Sequence, residues 1–61
     1  MIKINDKVRT TSEHNKHFQN AIKPILEGLV VYVNEYEVAK VLVSESGKSR
    51  DIGLYWLEKI S

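Results

Sequence analysis

Two apolar runs separated by a three-residue turn constrain this chain more than any other feature. Gly28 opens Leu29-Val30-Val31-Tyr32-Val33, a run of β-branched and aromatic side chains that suit a pleated, half-buried surface. Asn34-Glu35-Tyr36 supplies a turn, and Glu37 to Ser44 forms the second run. Ser44-Glu45-Ser46-Gly47-Lys48-Ser49 then reads as a hairpin loop in which Gly47 is free to take positive φ. Asp51-Ile52-Gly53-Leu54 returns as a third strand. Three strands joined by short turns are an antiparallel meander. Within the middle strand, Val38-Ala39-Lys40-Val41-Leu42-Val43 is too apolar for a plain one-face alternation. This implies a bent strand that faces the core at one end and another surface at the other.

The flanks supply two further strands. Asn5-Asp6 is a turn signal, and Lys7-Val8-Arg9-Thr10 alternates after it. Tyr55-Trp56-Leu57 reads as a tight turn before a last short strand at Glu58-Lys59-Ile60. The five strands are expected near Val8, Val31, Val41, Ile52 and Lys59. Their core is Val8, Val30 or Val31, Val33, Val41, Val43, Ile52, Leu54, Leu57 and Ile60. The choice between Val30 and Val31 stays open because a bulge is expected after Gly28.

Residues 12–24 are the least regular stretch. Phe18, Ala21, Ile22 and Ile25 fall at helical spacing, and Thr10 with Glu13 matches a capping box. Pro24 opposes a helix there and pushes Lys23 toward extended geometry. The stretch is either a long loop with one or two helical turns between Glu13 and Lys23, or a wholly irregular loop.

Length limits what this fold can hold. Sixty-one residues make one domain, and a chain of that size buries only about 60% of its unfolded surface. There is no cysteine, which excludes disulfides and thiolate metal sites and fits a reducing cytoplasm. Stability must come from packing, with homo-oligomerisation as a supplement. The polar start and the short apolar runs give no signal peptide or membrane span, so a cytoplasmic protein without a membrane partner is expected. The net charge of +1 lacks the basic excess usual in nucleic-acid binders.

The order of elements resembles the small Src-homology-3-like (SH3-like) barrels, a group that includes KOW, Tudor-like and plasmid-type dihydrofolate reductase domains. Asp6-Lys7-Val8-Arg9, a long loop, Glu27-Gly28-Leu29-Val30-Val31, a valine-rich strand, a glycine hairpin and Ile52-x-Leu54-x-x-Leu57-x-x-Ile60 carry the resemblance over residues 5–60. It implies an all-β, five-stranded SH3-like barrel with a long first loop. Barrels of this group bind RNA, DNA, proline-rich peptides or methylated tails, or assemble with other proteins, so fold does not fix function. The reductases end similarly to Leu57-Glu58-Lys59-Ile60. Their catalytic Gln-Ile-Tyr falls on Arg50-Asp51-Ile52, where neither the glutamine nor the tyrosine is present. The catalytic function does not carry over.

The chain offers no nucleophile–base order, phosphate loop or dinucleotide fingerprint. Catalytic residues, cofactors and a metal site are therefore not expected. His14 and His17 with Glu13 lack a further ligand and read as a solvated polar loop. A binding or assembly module acting on a protein surface is the expected function, in keeping with a bacterial or phage accessory protein. Tyr36 and Trp56 are the candidate anchors, with Tyr55, Glu35 and Glu37 around them, where the 12–24 loop meets the Asn34–Glu37 and Tyr55–Trp56 turns. Trp56 reads equally well as core. The alternative is a nucleic-acid-binding barrel that uses Lys40, Lys48 and Arg50, with Lys7 and Arg9, as a basic strip.

Overall fold

The computed structural model describes residues 2–19 and 21–60. Met1 and Ser61, the ends of the expected domain, and Asn20 in the long loop lie outside them. The element order is β1 (Lys7–Thr10), α1 (Ser12–His17), β2 (Gly28–Val33), β3 (Val38–Val43), β4 (Ser49–Gly53), a 3₁₀ turn (Leu54–Trp56) and β5 (Leu57–Lys59). All pairings are antiparallel, in the spatial order β4-β3-β2-β1-β5. The fold is all-β, as the sequence implies.

The sheet is strongly curled. Five strands laid flat would span about 19 Å at the usual spacing. Ile52 on edge strand β4 and Leu57 on edge strand β5 nevertheless share one core with Val8, Val30, Val41 and Val43. A single layer achieves this only by rolling its inner face around that core, which makes a small barrel-like body.

Gly28 permits part of the curl. A Cβ at this position would collide with the Val41 Cγ1 methyl and crowd the Leu42 carbonyl oxygen. The register of β2 on β3 then slips between Val30 and Tyr32. Val31 is the extra residue of this bulge and is exposed, while Val30 is fully buried. The bulge thus settles the open choice in favour of Val30.

Strand β3 corrects one expectation. It alternates plainly, with Ala39, Val41 and Val43 buried and Lys40 and Leu42 exposed. Its apolar look comes from Leu42, which points outward. Three other expected core residues are peripheral: Val33 and Leu54 are half-buried and Ile60 is exposed. Ile60 lies past the end of β5, although its amide still donates to the Lys7 carbonyl at 2.9 Å.

The long loop contains one short helix, and the capping residue is Thr11. Its side-chain oxygen accepts from the His14 amide at 3.1 Å. Thr10, expected in that role, is instead buried at 3% exposure. The helix ends at Phe18, so the spacing that continues to Ile25 is not a helical stripe. Ala21 is exposed, and Ile25 reaches the core from irregular chain.

Ile25 is held there by Thr10. The Thr10 amide donates to the Ile25 carbonyl at 3.0 Å, and the Ile25 amide donates to Thr10 Oγ1 at 3.1 Å. The Thr11 amide donates to the Trp56 carbonyl, which extends the β1–β5 pairing by one residue. Arg50 Nη1 on edge strand β4 donates to the Lys23 carbonyl at 2.7 Å, so the loop meets the β4 edge.

Replacing Thr10 by Val keeps the shape and leaves the buried Ile25 amide without its acceptor. Thr10→Val should cost about 1–3 kcal/mol, read as a lower urea midpoint with an unchanged slope. A midpoint equal to that of the parent chain contradicts this role.

Candidate functional site

Trp56 sits at the C-terminal end of the 3₁₀ turn, half-buried and packed against the core. Four aromatic rings surround it. His17 stacks on it at 5.6 Å and 25° between planes. His14 and Phe18 meet it edge-on at 5.7 and 5.5 Å, and Tyr55 meets it edge-on at 4.5 Å. These are the offset and edge-to-face geometries that ring quadrupoles favour.

His14 is therefore a structural packing group in a helix, which corrects the reading of 13–17 as a solvated loop at that position, while Glu13, Lys16 and His17 are exposed. His14 is 2% exposed. The i, i+3 and i, i+4 spacings of His14, His17 and Phe18 place all three on one side of α1. His14 Nδ1 lies 3.2 Å from Asn15 Oδ1, and an amide oxygen only accepts, so this nitrogen carries the proton. Asn15 Oδ1 also accepts from Thr10 Oγ1 at 2.7 Å. Among the described residues, no group of three or more His, Cys, Asp or Glu is arranged to hold a metal.

Two shallow depressions flank the Tyr55–Trp56 pair. One lies between Glu13, Lys16, His17 and Trp56, and the other between Ile2, Glu37, Leu54 and Tyr55. Tyr55 stands between them at 77% exposure. The Asn34–Glu37 turn is fastened to this ridge through its backbone: the Leu54 amide donates to the Glu37 carbonyl at 2.8 Å. The turn itself is organised by Asn34, whose Oδ1 accepts from the Tyr36 and Val38 amides at 2.8 and 3.1 Å. Glu37 takes a left-handed conformation, φ 60°, to complete it.

The expected convergence of loop, turn and aromatics thus exists, but its members are not equal. Tyr55, Trp56 and Glu37 lie on one continuous surface with α1. Tyr36 is 78% exposed on the turn and pairs with none of the other rings. Glu35 is exposed beside it. His14, His17 and Phe18 join the site without having been singled out. The signal for them was the cap at Thr11, which starts a helix one residue later than Thr10 would and turns these three rings toward Trp56.

The basic residues are dispersed. Lys40 pairs across the sheet with Asp51, and Arg50 with Val41. Val41 is buried and Lys40 exposed, so Lys40 lies on the outer face while Arg50 lies on the inner parity, half-buried and bonded to the Lys23 carbonyl. Lys48 is exposed on the hairpin and Lys7 on β1. Arg9 Nε is engaged with Glu58 Oε1 at 2.7 Å.

No protein-family model, curated protein or solved structure matches this chain. Among the described residues, no helix is long and apolar enough to cross a membrane.

Phe18 and the two histidines shield one side of the single tryptophan. Phe18→Ala should shift Trp56 emission to the red and lower stability by about 1–3 kcal/mol. An unshifted emission maximum would show that α1 does not cover the indole.

Proposed function

We propose that this chain is a non-catalytic binding module of the SH3-like kind that docks a protein segment across the Tyr55–Trp56 ridge. The strand order β4-β3-β2-β1-β5 and the 3₁₀ turn before the last strand support the SH3-like assignment. The observation that carries the binding reading is the pairing of a clamped Trp56 with a freely exposed Tyr55. A half-buried indole held by three rings is a pre-organised anchor, and ordering it on binding costs little.

Glu13 lies beside one depression and Glu37 beside the other, with Glu35 on the adjoining turn. A partner with an apolar or aromatic anchor and a Lys or Arg next to it fits this arrangement. Among the described residues, Lys16 is the one Lys or Arg that lines either depression. The dispersal of Lys40, Lys48 and Arg50 gives less support to the nucleic-acid reading, because Arg50 is occupied by a backbone carbonyl and Lys40 faces elsewhere.

Selection from a phage-displayed library of unstructured peptides tests the proposal. Selected peptides should carry an apolar anchor beside a basic residue and shift the amide resonances of Glu13, His17, Glu37, Tyr55 and Trp56. Tyr55→Ala and Glu37→Lys should each weaken them about tenfold or more. Tyr36→Ala should have a smaller effect. Thermal melts of the variants separate lost contact from lost fold. Binding that survives these changes but disappears with Lys48→Glu plus Arg50→Glu, with steep salt dependence on single-stranded DNA, would replace this reading with the nucleic-acid one.

A further inference from the structure

A second surface lies on the outer face of the β2–β3 pair, built by a different part of the chain. Two rows of side chains cross it in register. One row is Lys7–Leu29–Leu42–Ser49 and the other is Tyr32–Lys40–Asp51. Leu42 and Tyr32 are exposed at 39% and 56%. The face is therefore apolar at its centre, although it covers no core. Beyond the leucine row is a groove of about 330 Å³ between Glu27, Gly28, Leu29, Leu42, Ser44 and Gly47. Gly47 at its rim carries no side chain, and a Cβ there would meet nothing within 4 Å.

A protruding ring and an apolar groove thus occupy opposite ends of one face. From these positions we infer that the face associates with a second copy of this chain, each Tyr32 entering the partner's groove. A two-fold axis crossing β2 and β3 between the two ends carries one feature onto the other, as an isologous contact requires. The charges follow the same relation. Lys40 and Asp51 stand at the tyrosine end, whereas Glu27 and Lys48 stand at the groove end. The rotation lays Asp51 near Lys48 of the other copy, and Lys40 toward its Glu27. The leucines at the centre meet their own counterparts. Lys7 also lines the groove, where its ammonium can face the entering Tyr32 ring, and the repulsion between the two Lys7 side chains is screened by solvent.

The association is weak. The molecule extends only 28 × 23 × 18 Å and the contact uses part of one face, which places it with the small, weak class of interfaces. A dissociation constant of roughly 0.1–1 mM is expected, since affinity here depends on one aromatic anchor and few ion pairs.

Sedimentation equilibrium of the full chain between about 20 μM and 1 mM tests this. The parent chain should shift from monomer to dimer over that range. The amides of Leu29, Tyr32, Lys40, Leu42 and Gly47 should move on dilution in two-dimensional NMR spectra. Tyr32→Ala and Leu42→Lys, both at exposed positions, should each weaken dimerisation about tenfold or more while melting like the parent. Asp51→Lys should weaken it, and adding Lys48→Asp should restore it. A monomer throughout the range would overturn the inference. So would a dimer indifferent to Tyr32→Ala and Leu42→Lys, or one lost with Tyr55→Ala, which would place the contact on the aromatic ridge.

Discussion

The Thr10 hydroxyl is the contact on which the rest of this architecture depends. It accepts from the Ile25 amide and donates to Asn15 Oδ1, so a single buried oxygen ties β1 to both ends of the long loop. The Asn15 side chain in turn accepts from the ring of His14. Thr11, the next residue, caps α1 through its side chain and reaches the Trp56 carbonyl through its amide. Two adjacent threonines thereby fix the loop, the helix and the tryptophan relative to the barrel. Such a hydroxyl is worth more than an average hydrogen bond, because its removal strands a buried donor. The arrangement also satisfies its neighbours: among the described residues no buried side-chain nitrogen or oxygen lacks a partner.

That network helps explain how a chain of this size manages without a disulfide. The inner core is a small set of aliphatic side chains, half of them valine. Ile25, brought in by the loop, is the largest fully buried side chain. The rings of His14, His17, Phe18 and Trp56 then form a second packed layer outside the sheet. Burying apolar surface in the loop instead of leaving it in water contributes roughly 25 cal/mol per Å². A long loop is entropically expensive only weakly with its length, so a loop that brings its own apolar side chains is a net gain.

The sheet was legible in the sequence because its signals are local. The turn residues Asn34 and Gly47 and the apolar positions of β4 and β5 each act within a few residues of themselves. The expectation of a bent β3, where the strand alternates plainly, came from Leu42. A leucine on the solvent face and one in the core look alike until register is known, and register is set by pairing with Leu29 on another strand. The site was less legible because it depends on distant contacts. Tyr36 and Trp56 were the expected anchors with Tyr55 beside them, and Trp56 read equally well as core. Only the packing of α1 against the 3₁₀ turn distinguishes a clamped ring from a free one. His14 was hidden for the same reason: its burial follows from a hydrogen bond to Asn15 and from the position of a tryptophan about forty residues later. Lys40 and Arg50 show the converse. Ten residues apart and joined by a hairpin, they suggested one strip, yet strand parity sends them to opposite faces.

The two faces differ in how binding would couple to folding. On the aromatic ridge, the anchor Trp56 is also part of the packed layer, so its position is inherited from Thr10, Thr11 and α1. Any change that loosens the loop must loosen the anchor, and stability and recognition there cannot be altered independently. The bulge at Val31 makes the outer face different. It sends Tyr32 to the outer face from a strand whose Val30 is fixed in the core. Substitution of Tyr32 would therefore disturb the core little, whereas a change at the ridge reaches the core through Trp56, which packs against it.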